Sequence, residues 1–287
     1  MVAVWGATPG GDARAVTARV ARAEGRGARD RGPCPLWYGA VLTREPTLWQ
    51  PARALRRAMV IVAHPDDAEF GCAGTVARWV DEGTAVRYLV LTDGASGSQD
   101  AAITRERLAR TRREEQRAAC AAVGVHDVVF QGHPDGYLEA SLALRREVAA
   151  EIRRFRPEVV VTTNPEMRWS PWGMVNHPDH RAAGDLVLHA VNPAASSRLW
   201  DATLLDEGLE PWEPAEAWLA SFGDGLDLVD VSTTFDRKIA ALSCHVSQLG
   251  DWDPGPDLRQ GAKERGEMVG VDVAEAFVRL PFRELDA

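Results

Sequence analysis

The chain has 287 residues, 45% of them hydrophobic and 26% charged, with a formal net charge of −9. That is long enough and apolar enough to bury a full core, so one domain, or one with a small annex, is expected. The charge argues against nucleic acid or an anionic membrane as partner, and no apolar run approaches the ~18 residues a spanning helix needs. The N-terminus lacks the apolar core of a secretory signal, which predicts a cytoplasmic protein without membrane insertion. Four cysteines (Cys34, Cys72, Cys120 and Cys244) stand far apart with no CxxC pair. Free buried thiols are the expected state.

The charge is uneven. Residues 1–57 carry ten arginines against four acids, spread among Ala and Gly without interleaved aromatics. That is the composition of a solvated, partly disordered extension. Residues 1–33 are expected to be poorly ordered, and 33–55 to wrap the core through Trp37, Tyr38 and Trp49. The division expected is an N-terminal extension over 1–57 and a folded domain over 58–287.

From Met59 the text turns regular. Residues 59–63 form a short apolar run with the β-branched residues of a buried strand. It ends in His64-Pro65-Asp66-Asp67, a flexible Gly71-Cys72-Ala73-Gly74, and a helical pattern over 75–80. Pro65 fixes its own φ and biases His64 toward an extended backbone, so the imidazole leaves the strand end in a defined direction. A second buried run, 86–91, ends at Thr92-Asp93-Gly94 and is followed by a long charged helix over 103–123. A short third strand, 128–130, ends in Gly132-His133-Pro134-Asp135-Gly136. Residues 142–155 read as helix and 158–162 as a fourth strand. An irregular stretch, 164–176, then leads to His177-Pro178-Asp179-His180, which opens a helix to about Val191. Beyond it Trp200, Trp212, Trp218 and Phe222 punctuate short strands. Residues 235–249 read as one amphipathic helix, and 274–282 as a last strand. Strands alternating with helices predict a Rossmann-like α/β fold, its mostly parallel sheet covered by helices on both faces. Ligands in such sheets bind beyond the carboxyl ends of the strands, where every polar cluster just named falls.

His64 and Asp67, three apart, can close on one ion, while Asp66 between them can point at whatever the ion binds. With one of His177 or His180 they offer three nitrogen and oxygen ligands. Three such ligands and an open fourth position are the arrangement of a catalytic zinc that activates water. Fe²⁺ and other divalent ions suit the same donors.

The segments AHPDDAEFGCAGT, LTDGASG, RREEQRAACAAVGV, NHPDHRAAGD and TFDRKIAALSCHVSQ, spread over about 58–249, resemble the LmbE/PIG-L family of zinc-dependent N-acetylglucosaminyl deacetylases. The resemblance implies a Rossmann-like fold and hydrolysis of the acetamide of an N-acetylglucosamine unit. It implies His64, Asp67 and His180 as metal ligands and Asp66 as general base. It implies His177 as the group facing the oxyanion or protonating the leaving amine, Asp179 as its orienting partner, and Arg112 as a substrate contact. Val175 stands where several members have a tyrosine. Asp93 can hold a sugar hydroxyl or simply make a turn. Asp135 sits in a third HPD that lacks a ligand at Gly136, and is taken as a loop residue that can touch substrate. Cys72 is expected to pack. His245 and Gln248 resemble a family HxSQ element, with packing the expected role. The substrate expected is a small amino-sugar conjugate, and a homo-oligomer is compatible with the sequence. Three alternatives stand beside this one: an amidase for a larger N-acyl or thiol-conjugate substrate, a nucleotide-binding Rossmann module without hydrolysis, and a pseudo-enzyme. Against the nucleotide-binding module, HPDD follows the first strand where a GxGxxG turn would be expected.

Overall fold

The structure, a computed structural model, describes residues 45–51, 53–169, 173–221 and 225–284. The expectations for residues 1–33 and for Cys34, Trp37, Tyr38 and Phe222 lie outside these. Among the described residues eight strands form one sheet in the order β1-β7-β8-β6-β5-β2-β3-β4. They are β1 (Thr47–Leu48), β2 (Arg57–Val62), β3 (Ala85–Thr92), β4 (Asp127–His133), β5 (Val159–Thr163), β6 (Glu216–Ser221), β7 (Asp227–Asp230) and β8 (Ala274–Pro281). All pairings are parallel except those of β8, which runs against both β6 and β7.

The helices are α1 (Asp67–Gly71), α2 (Ala73–Asp81), α3 (Arg105–Ala122), α4 (Leu142–Phe155), α5 (Pro178–His189), α6 (Thr203–Asp206), α7 (Phe235–Leu242), α8 (Val246–Leu249) and α9 (Gly255–Glu267). Beyond α5 the chain turns through Ala190–Ala195 with a kink at Asn192, whose backbone is extended at φ −137°, ψ 117°. Strand residues two apart share a face, and β2 divides accordingly. Val60 and Val62 join a core with α2, α3 and α7 through Val76, Trp79, Ala119 and Phe235. Met59 and Ile61 join a second core with α4 and α5 through Val148, Ile152, Leu186 and Val187. Both faces of β2 are therefore buried, which explains its unbroken apolar run.

Two sequence expectations change. The segment 71–74 is not a flexible loop: α1 and α2 follow one another almost directly, and Cys72, Ala73 and Gly74 are buried. The single helix expected over 235–249 is broken into α7 and α8 at Ser243-Cys244-His245. Its cause is His245, which is fully buried and turned onto Glu69. Ahead of β2, Trp49 packs edge-on against Trp79 and Trp218, with ring centroids 6.2 and 4.9 Å away.

β2 lies between β3 and β5, so the chain leaves β2 for one side and later returns to its other side. That is a switch point, where a crevice opens beyond the strand ends. No helix among the described residues is long and apolar enough to cross a membrane.

Candidate metal centre

The crevice is built by two strand-to-helix connections. At the end of β2 the chain enters α1 through Asp66, whose backbone is left-handed at φ 102°, ψ −25°. A non-glycine residue there costs about 1–3 kcal/mol and persists only where its surroundings hold it. Two side chains of α3, one turn apart, do so. Arg112 donates to the Pro65 carbonyl (2.5 Å) and to Asp66 Oδ2 (3.0 Å). Gln116 Oε1 accepts the Asp66 N–H at 2.9 Å. In the same turn the His64 N–H donates to Asp67 Oδ2 at 2.8 Å.

At the end of β5 the connection returns as α5, with His177 at its N-cap and Pro178 in its first turn. The helix is pressed onto the strand. Thr163 Oγ1 donates to the His180 carbonyl at 2.6 Å, and a Cβ on Gly184 would stand 2.5 Å from the Thr163 carbonyl oxygen. Only glycine allows that approach. The His180 ring is thereby set 5.1 Å from the His64 ring, centroid to centroid.

Hydrogen bonds fix which nitrogen of each histidine is free. Asn176 Nδ2 donates to the Met167 carbonyl (2.7 Å), so its Oδ1 faces His180 Nδ1 (3.0 Å) and takes the ring proton. The Nε2 lone pair of His180 then meets Asp67 Oδ1 at 3.0 Å. His64 Nε2 lies 3.1 Å from Asp135 Oδ1 and 3.3 Å from Asp179 Oδ2, so the proton belongs there. Its Nδ1 is left toward Asp67 Oδ2 at 3.6 Å. Two ring lone pairs thus converge on one carboxylate. Acceptors facing acceptors require a proton or a cation between them, and this pattern of anchored imidazoles is that of metal ligands.

Donor atoms of His64, Asp67 and His180 lie within 4.8 Å of one another, and so do those of His64, His177 and Asp179. The first group fits an ion better. In the second, the Asp179 oxygens already accept from the Gly136 N–H (2.8 Å) and the Leu138 N–H (3.2 Å). Charge points the same way. Four carboxylates, Asp66, Asp67, Asp135 and Asp179, gather around His64, and Arg112 is the guanidinium among them. Burial pushes the Asp67 carboxyl up, but His180 and His64 outweigh it and hold it well below the usual range. Burial disfavours charge on His64, yet Asp135, Asp179 and Asp67 outweigh it and raise the imidazole well above its usual value. A divalent cation would relieve both demands.

Several expected roles take a different form. Asp179 does not orient His177 through its carboxylate, which stands 4.0 Å from His177 Nδ1. Its backbone N–H does so instead, donating to Nδ1 at 3.2 Å, while the carboxylate holds His64 and the 136–138 loop. Arg112, expected at substrate, is buried, and its Nη1 and Nη2 donate to Gly94, Pro65 and Asp66. Asp135 is buried, accepts from the Ser96 N–H and backs His64. Asp93 makes the turn, with Oδ1 accepting from the N–H groups of Ala95 and Asp135. His133 pairs with Glu147 outside this group. Cys72 packs in the core, where burial raises its thiol well above its usual range.

Sequence reasoning missed Gln116, Glu69 and Asn176 as site residues. The spacing of Arg112 and Gln116, four apart on one helix, was the available signal. His245 has a polar role beyond packing, 3.2 Å from Glu69 Oε2.

Known proteins resemble this chain in sequence and in fold. Residues 59–191 match the family model described as PIG-L, GlcNAc-PI de-N-acetylase. A diacetylchitobiose deacetylase of Thermococcus kodakarensis is 31% identical over 237 residues, covering 81% of this chain and 86% of that protein. A 1D-myo-inositol 2-acetamido-2-deoxy-alpha-D-glucopyranoside deacetylase of Actinosynnema mirum is 30% identical, covering 69% and 83%. The solved structure of N,N'-diacetylchitobiose deacetylase from Pyrococcus horikoshii, complexed with its inhibitor MPG, superposes with a TM-score of 0.75 at 28% identity. It covers 86% of this chain and 90% of that one.

Proposed function

We propose, from the premise that this chain belongs to the PIG-L family of de-N-acetylases, that it is a metal-dependent hydrolase removing acetyl from an N-acetylated amino sugar. The observation that carries the reading is the convergence of two ring lone pairs and the Asp67 carboxylate, with a second carboxylate, Asp66, beside them. His64, Asp67 and His180 would hold the ion, and zinc suits their nitrogen and oxygen donors. Such an ion supplies Lewis-acid charge that polarises an amide carbonyl and eases ionisation of water.

The remaining work falls to side chains. Asp66 takes a proton from the attacking water as its oxygen bonds to the acetamide carbon. Burial raises the Asp66 carboxyl above its ordinary range, although Arg112 pulls against it. A raised pKa makes Asp66 a stronger base than an exposed carboxylate and a competent acid once protonated. The same proton then goes to the departing nitrogen as the C–N bond breaks, leaving acetate and a free amine. His177 serves the oxyanion. Its Nδ1 accepts from the backbone, so its proton sits on Nε2. Burial and the nearby His64 and His180 hold its pKa below the usual value, so it donates as a neutral imidazole. In this reading Asp66, and not His177, protonates the amine. The substrate is a small amino-sugar conjugate.

Asp66→Asn tests the assignment. It should keep its zinc yet turn over an N-acetylglucosaminide roughly 10²–10⁴-fold more slowly, the range for loss of a positioned acid–base group. In the parent protein, kcat/KM should rise with pH through an acidic limb, because Asp66 must be ionised to accept the proton. That limb should vanish in Asp66→Asn. Asp67→Asn should instead lose the metal and recover part of its activity with excess zinc. Elemental analysis and free-amine release read both variants; a zinc-replete, fully active Asp66→Asn would end the general-base assignment.

A further inference from the structure

Behind Asp66 lies a buried polar chain that the hydrolysis itself does not use. Gln116 Oε1 accepts the Asp66 N–H at 2.9 Å, and Gln116 Nε2 donates to Glu69 Oε1 at 3.0 Å. The other oxygen of Glu69 meets His245 Nε2 at 3.2 Å. Gln116, Glu69 and His245 are each fully buried. They come from α3, from α1 and from the break between α7 and α8. Gathering three buried polar side chains from three elements is costly for a core that could have been apolar, the more so as His245 Nδ1 has no partner among the described residues.

The order of donors gives the chain a direction. An amide can present either oxygen or nitrogen to its neighbour. Gln116 must present oxygen to the Asp66 N–H, and only an acceptor at its nitrogen end enforces that. Glu69 is that acceptor. A carboxylate buried this completely needs a donor on its second oxygen, and His245 supplies one. His245 does so at the expense of the helix, since turning it inward breaks the run expected over 235–249 and leaves Val246 exposed.

At the other end the chain meets a non-glycine residue held in a left-handed backbone. Asp66 at φ 102° would relax to right-handed or extended values without an acceptor for its N–H. Arg112 grips the Pro65 carbonyl and the carboxylate, and among the described residues it is Gln116 that takes the Asp66 N–H. The Asp66 carbonyl is held by the N–H groups of Glu69 and Phe70 and its carboxylate by Arg112, so Gln116 is the contact that fixes the remaining N–H side of this residue.

We propose that Gln116, oriented by Glu69 and His245, is a positioning residue that locks the left-handed backbone of Asp66 and so aims its carboxylate for proton transfer. The inference rests on the deacetylase reading above and extends it to residues that touch neither metal nor substrate.

The full-length, zinc-loaded protein is compared with Gln116→Met, His245→Met and His245→Gln. Free-amine release from an N-acetylglucosaminide gives kcat and KM, elemental analysis gives zinc, and a crystal structure of Gln116→Met gives φ at position 66. A misdirected base should lower kcat by on the order of 10- to 100-fold with KM and zinc content unchanged in Gln116→Met. His245→Met should show the same kcat-only loss. His245→Gln, whose side-chain nitrogen can again donate to Glu69, should regain most of it. A merely structural role would lower the yield of folded protein and leave kcat of the folded fraction alone, with no difference between Met and Gln at 245. Wild-type kcat in Gln116→Met, or a loss confined to KM or zinc, overturns the proposal. If Gln116→Met does not fold, the two variants at 245 decide by the same criterion. Should the parent protein release no amine from any N-acetylglucosaminide, the functional reading fails separately. The φ at Asp66 then decides the positioning role: departure from the left-handed region upholds it, and retention near 102° overturns it.

Discussion

His64 and His180 illustrate how little a residue's identity says before its second nitrogen is accounted for. Each imidazole is anchored through one nitrogen, His64 by Asp135 and Asp179, His180 by Asn176, and each turns the other toward Asp67. The anchors decide which lone pair is available, and so which atoms could face an ion. Asn176 is the simplest to remove, because it precedes the helix and takes no part in the proposed chemistry. Asn176→Leu should leave the fold intact and weaken zinc binding about 10- to 100-fold, the usual cost of a lost partner behind a metal ligand. A competition titration against a chromogenic chelator measures it; unchanged affinity would mean that the ring of His180 is oriented by other means. Arg112 carries the opposite lesson. The family resemblance implies a substrate contact for it, but its hydrogen bonds here tie the turn that carries Asp66 to the Gly94 carbonyl beyond β3.

Among the elements, α5 and β5 form the pair that brings the second motif to the first. The helix sits against the strand end because Gly184 has no Cβ and because the Thr163 hydroxyl reaches the His180 carbonyl. Gly184→Ala would normally favour a helix by about 1 kcal/mol. Here the added Cβ would stand 2.5 Å from the Thr163 carbonyl oxygen, and α5 must move to admit it. The variant should therefore lose stability despite its better helix propensity, with a lower melting temperature. It should also bind zinc less tightly, because His180 moves with the first turns of α5. A melting temperature at or above the parent value would show that the close approach is slack. The broken α7–α8 helix belongs to this scale too. Periodicity over 235–249 is that of one helix, but a buried Glu69 that needs a donor outweighs the few helical hydrogen bonds lost at the break.

For the molecule as a whole, the sheet order matters more than any single strand. β2 is flanked by β3 and β5, and the two motifs follow β2 and β5, so a separation of more than a hundred residues in sequence closes to neighbouring ring contacts. The folded unit also begins earlier than the regular text suggests. β1 pairs with β7, and Trp49 is buried against Trp79 and Trp218. A chain starting at Ala58 should accordingly lose several kcal/mol, since removing a buried tryptophan costs about 3–5 kcal/mol. A chain lacking only residues 1–33 should melt and turn over like the parent. Urea titration and free-amine release on the two truncated chains separate these outcomes; a destabilised 34–287 chain would show that the arginine-rich segment is structural.

The sequence by itself determined the α/β class, the buried strands β2, β3 and β5, and the His-Pro-Asp motifs that face one another at the strand ends, because these depend on local matters. Apolar runs bounded by turn residues specify strands, and His-Pro-Asp-Asp carries its chemistry in four adjacent side chains whatever surrounds it. Tertiary structure alone decided the rest. It showed His180 aimed at Asp67 through Asn176, Asp179 serving His64 while its backbone serves His177, and Arg112 and Gln116 gripping Asp66. These are pairings between segments tens of residues apart, and a buried polar group takes whichever partner the packing brings to it. No periodicity records that choice, because it is made by where α3, α5 and the α7–α8 break come to rest on the sheet.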